Sequence, residues 1–121
     1  MKIHRNFDLV ERTARFAENI IVQVKKIGTD SVNRKIIEQL VRSAGSVGAN
    51  YCEAAEAESK KDFIHKLSIS KKEAKESQHW IRLLAKANPE SRATMIGSWS
   101  EAGELVLIFS KSIDTVKARG Q

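Results

Sequence analysis

An all-α, antiparallel up-down-up-down four-helix bundle is the fold this sequence predicts, and three observations predict it. Residues that penalise helix little dominate the chain, only one proline and six glycines interrupt it, and four amphipathic segments are separated by short breaks. At 121 residues the chain suits one domain around one core. We therefore expect a single domain over residues 1–121, with helices at approximately 8–27, 31–56, 60–87 and 89–118.

The first helix is expected to begin at Asp8-Leu9-Val10-Glu11, which has capping-box character, and to stop at Gly28 through a left-handed cap. Its inward stripe is Leu9, Thr13, Phe16, Ile20, Val24 and Ile27. The second begins after the cap cluster Thr29-Asp30-Ser31 and carries two apolar stripes, Ile36, Leu40, Val47 and Tyr51 on one side and Ile37, Val41, Ala44 and Gly48 on another. Both sides call for burial.

Ser59, with Asp62 three residues on, marks the start of the third helix. Phe63, Leu67, Ser70, Ala74, Ser77, Ile81 and Leu84 then recur at alternating spacings of four and three, a heptad seam with a small middle. Asn88-Pro89 is a cap with proline next to it at the first helical position, so the chain turns and restarts there. The last helix repeats the rhythm with Met95, Trp99, Ala102, Val106, Phe109, Ile113 and Val116.

Ile64, Ile69, Trp80, Leu83, Leu105 and Ile108 fall off these seams. They are either margins of one wide core or a second buried surface, and we expect the second: a homo-oligomer. Gly45 and Gly48 point the same way. Each costs a helix interior up to ~1 kcal/mol relative to alanine, which close helix approach would offset.

The net charge of +6 and pI near 9.6 favour polyanions, and the distribution says more than the total. From Ser59 to Lys86 there are eight basic and three acidic residues, so about five of the six net charges lie on the third helix. Lys60, Lys61, Lys72, Lys75, Arg82 and Lys86 are the candidate nucleic-acid-binding residues, acting through phosphate contacts. Lys61, Lys72, Lys75, Arg82 and Lys86 recur near helical periods while Lys66 and Lys71 flank the seam differently, so a broad patch is expected rather than a precise stripe, and an ordinary solvated helix face is the plainer alternative.

Catalytic chemistry finds little support. A carboxylate-bridged di-iron site needs Glu-x-x-His pairs on two helices, whereas Asp62-x-x-His65 and Glu76-x-x-His79 share one helix and would stand about 21 Å apart at ~1.5 Å per residue. Ser68-x-x-Lys71 matches a serine-lysine signature only as a string. Cys52 reads as a small buried apolar side chain, and as a lone cysteine it forms no internal disulfide. No phosphate loop or zinc cluster appears, so we expect no enzyme activity, no cofactor and no metal site. Without a signal-like or bilayer-length apolar run, a cytoplasmic location and no membrane association are expected.

The segment Gln39–Leu84, reading QLVRSAGSVGANYCEA and then SKKDFIHKLSISKKEAKES, resembles the bacterial four helix bundle protein family. That family includes proteins encoded in 23S rRNA intervening sequences and, more distantly, accessory proteins of diversity-generating retroelements. Arg42, Ser43, Ala44, Ser46, Ala49, Asn50, Glu53, Ser59, Asp62 and Phe63 match its pattern, whereas Cys52 and Ala54 depart from it. The resemblance implies a four-helix fold, a ring-shaped pentamer and association with RNA or DNA, with the retroelement proteins serving as basic subunits beside a reverse transcriptase. Arg42, Asn50 and Glu53 are polar enough to build an interhelical or intersubunit network. The alternative partner is an acidic protein bound by a structural adapter.

Overall fold

The computed structural model describes the backbone of residues 2–119 and the side chains of residues 9–119. Four helices, α1 (Lys2–Val24), α2 (Ser31–Ala55), α3 (Lys60–Ala87) and α4 (Arg92–Ala118), succeed one another, with a 3-10 turn over Pro89–Ser91. Neighbours in sequence pack as neighbours in space. Of the helix pairs that pack side by side, the α2–α3 interface is the broadest among the described residues, α3–α4 comes next, and α1–α4 is the thinnest.

Cap chemistry sets two of the starts as expected. The Asp30 carboxylate accepts from the Asn33 amide at 2.7 Å, and the Ser59 hydroxyl accepts from the Asp62 amide at 3.0 Å. Both ends of α1 differ from the expected ones. Helix α1 already runs from Lys2, since no proline or glycine in residues 2–8 stops it, so Asp8 lies inside the helix rather than at its cap. It ends at Val24 by tightening into i→i+3 bonds, Lys26 N–H to Gln23 O and Ile27 N–H to Val24 O, and no described glycine has a positive φ. Gly28 instead offers its carbonyl to Asn33 Nδ2 at 2.8 Å.

Asn88, expected to cap the fourth helix, does not do so. Its Nδ2 donates to Leu84 O and to Asn33 Oδ1, while Asn33 Nδ2 donates to Asn88 Oδ1 at 3.1 Å. This buried amide pair ties the start of α2 to the end of α3, and the proline then opens a 3-10 turn before α4 begins at Arg92.

Of the expected seams of α1 and α3, Thr13, Phe16, Ile20, Val24 and Ile27, and Leu67, Ser70, Ala74, Ser77, Ile81 and Leu84 are buried, while Leu9 and Phe63 at their heads are half-buried against the core. Small residues in the middle of α3 let α2 approach closely. Ser43 and Ser77 share a hydroxyl contact at 2.9 Å, and the Ser70 hydroxyl donates to Val47 O at 2.9 Å, so no polar atom is left without a partner there. Tyr51 of α2 stacks on Phe109 of α4 with centroids 6.1 Å apart.

Helix α4 corrects the sequence reading. Its buried line is Met95, Ser98, Ala102, Leu105, Phe109 and Ile113, so Ser98 and Leu105 take the places assigned to Trp99 and Val106. Trp99 is 45% exposed. Apolar residues lie all round this helix, and a choice by hydrophobicity alone therefore picked the wrong neighbour by one position. Ser98 is satisfied inside because Gln23 of α1 reaches it at 3.0 Å. On α2 the second stripe is only half buried, with Ala44 inside and Val41 exposed. Of the surplus apolar residues, Leu105 is core, Ile64 and Trp80 pack against it, and Leu83 stays exposed. No helix among the described residues is long and apolar enough to cross a membrane.

Candidate nucleic-acid interface

Helix α3 runs 28 residues without a break. All six candidate cations on it, Lys60, Lys61, Lys72, Lys75, Arg82 and Lys86, are exposed. From Lys61 the successive steps to Lys72, Lys75, Arg82 and Lys86 are close to whole numbers of 3.6-residue turns, so these five form a line along one face of the unbroken helix, with Lys66 and Lys71 off it. At ~1.5 Å per residue the line is about 38 Å long. Lys60 stands beside it, with Nζ bonded to Arg119 O at the end of α4.

The acids of α3 face elsewhere. Arg42 of α2 reaches across to Glu73 at 3.3 Å and also pairs with Glu76, whose Oε2 accepts from Trp80 Nε1 at 2.9 Å. The Trp80 donor, outweighing partial burial, and then Arg42 hold the Glu76 carboxyl below the ordinary glutamate range. Lys66 pairs with Glu53 of α2 at 2.6 Å, which lowers Glu53 and raises Lys66. The α2-facing flank of α3 is thus neutralised in pairs. None of Lys61, Lys72, Lys75, Arg82 and Lys86 makes an ion pair among the described residues.

Arg42, Asn50 and Glu53 do not join one another. Arg42 and Glu53 each bond to α3, at separate points, while Asn50 donates to Ser46 O within α2. Cys52 is exposed, against the buried position expected of it, because Val47, Tyr51 and Ala54 take the inward positions of that turn. His65 and His79 are both exposed, and among the described residues no group of three potential ligands comes together to hold a metal.

A feature that sequence reasoning missed lies between α3 and α4, a groove of about 370 Å³ into which Lys71, Lys72, Lys75 and Lys117 project. Lys117 was not among the candidates because its proximity to α3 from another helix leaves no sign in sequence, and Lys71, although on α3, lies off the helical period of the others. A second groove, between α1 and α4, is bridged by the bidentate Arg12–Glu101 pair at 2.7 and 2.9 Å.

No curated protein matches the chain. A crystal structure at 1.70 Å of a protein with unknown function from the S23 ribosomal protein family of Bacteroides thetaiotaomicron VPI-5482 is similar, with TM-score 0.78 and 29% identity, over 90% of this chain and 97% of that one. The model of a family described as 23S rRNA-intervening sequence protein matches residues 5–107. With that span covering most of the sequence, the chain belongs to the 23S rRNA-intervening sequence protein family.

Proposed function

We propose that this protein is a non-catalytic homo-oligomer that associates with nucleic acid through the outer face of α3. The observation that carries the reading is charge segregation: Glu73 and Glu76 of α3 are paired with Arg42 of α2, while Lys61, Lys72, Lys75, Arg82 and Lys86 line a separate, exposed face. A row of cations supplies phosphate affinity without reading base sequence. The family description makes RNA the first ligand to try.

Self-association is part of the proposal. Ile96, Trp99 and Leu107 are exposed apolar residues at helical spacing on α4, and a ring, a pentamer by the family resemblance, would repeat the basic face and turn weak contacts into avid ones. One observation favours a second reading, an adapter for an acidic protein: no Phe, Tyr or Trp lies on the basic line to stack against bases.

Fluorescence anisotropy with a structured RNA and a duplex DNA across several salt concentrations tests the choice. Affinity that falls steeply with salt, by ~0.7 to 0.9 in log-log slope per phosphate contact, supports nucleic acid. Joint replacement of Lys61, Lys72 and Lys75 by Gln is expected to weaken that binding with stability changed by less than ~0.5 kcal/mol. No binding at low salt would favour the adapter.

A further inference from the structure

We propose that the groove between α3 and α4 takes the phosphates of a single polynucleotide strand, whereas the outer line of α3 accepts paired and unpaired strands alike. The inference rests on the proposed nucleic-acid function and names the form of nucleic acid that this part of the surface selects.

The two walls share one geometry. Helix α3 contributes Ser68, Lys71, Lys72 and Lys75, with each lysine three, four or seven residues after Ser68, and α4 contributes Ser110, Asp114 and Lys117 at spacings of four and three, so the groove runs along both helices. Four ammonium groups face one carboxylate. Depth separates these residues: Lys71 and Ser110 are half-buried above a floor of buried Ile113, while Lys72, Lys75, Asp114 and Lys117 stand exposed at the rims.

Width then decides what reaches the floor. Packed helices have axes only ~8–10 Å apart, so the cleft between them is narrower than a nucleic-acid duplex, which rides on its rims. A single strand can enter. From Ser68 to Lys75 the α3 wall is about 10 Å long at ~1.5 Å per residue, long enough for a short run of successive phosphates. Lys71 supplies charge and the Ser110 hydroxyl a hydrogen bond to phosphate oxygens at the bottom. Asp114 opposes any anion in the groove, which gives the inference a variant of opposite sign.

The test titrates full-length protein with a fluorescent unstructured oligouridine strand and with an RNA duplex of equal length, over several salt concentrations. Lys71→Gln is expected to weaken single-strand binding about fivefold at 0.1 M salt and to lower the log-log salt slope by about 0.7, as for one lost phosphate contact. Duplex binding should be unchanged. Asp114→Asn is expected to tighten the single strand, a gain that misfolding cannot produce. If Lys71→Gln affects both ligands equally or neither, or Asp114→Asn leaves the single strand unchanged while wild type binds RNA, the groove inference fails and the outer-face reading stands. If wild type binds neither ligand at low salt, both fail.

Discussion

Two glycines in the same helix turn out to have opposite meanings. A Cβ on Gly48 would sit 3.0 Å from Thr13 Oγ1 and 3.3 Å from Thr13 Cβ, so α1 and α2 approach closely here, and Thr13 keeps its hydroxyl bonded to Leu9 O at 2.8 Å beneath it. A Cβ on Gly45 meets nothing within 4 Å. Gly48→Leu should therefore destabilise the bundle by about 1–3 kcal/mol through overpacking, whereas Gly45→Ala should stabilise it by up to ~1 kcal/mol through helix propensity. Paired thermal melts read both signs, and equal shifts would remove the close approach as the reason for Gly48. The cost of a helical glycine was legible in the sequence, but which of the two a neighbour requires was not, because Thr13 lies thirty-five residues away.

Among the elements, the existence of all four helices and the seams of α1 and α3 were legible, since on each an inward set recurs at helical spacing through the whole helix despite apolar residues outside it such as Ile21, Val22 and Leu83. Helix α4 was less so, with Ile96, Trp99 and Leu107 outside and Ser98 inside. The basic residues of the candidate interface were visible as a list, while the neutralisation of α3's other flank was not, because Arg42 and its two glutamates are on different helices. That pairing has a pH signature. Glu76 has a folded-state pKa below its unfolded value, so its stabilising share is present above the unfolded pKa and is lost as pH falls through the folded one. The melting temperature of the wild type should exceed that of Glu76→Gln at neutral pH, and the gap should close as pH drops below about 4.3, the ordinary glutamate value. A gap independent of pH would mean that the Arg42–Glu76 tie adds nothing to stability.

On the scale of the whole molecule, the apolar residues left outside are the best guide to assembly. If α4 packs against another copy, joint Ile96→Glu and Leu107→Glu should lower the mass measured by light scattering while the circular dichroism of the helices stays unchanged. An unaltered mass would move the search to another face, or to a monomer if wild type is one. The uneven packing around the bundle has its own consequence. Among the described residues α1 has the thinnest packing of the four helices, and its seam with α4 is spanned by two polar ties, Arg12–Glu101 and Gln23–Ser98. Native-state fluctuations should start there: amide protons of α1 exchange with solvent ahead of those of α2 and α3, and the partly opened molecule is a three-helix remnant with the face of α2 around Gly48 uncovered.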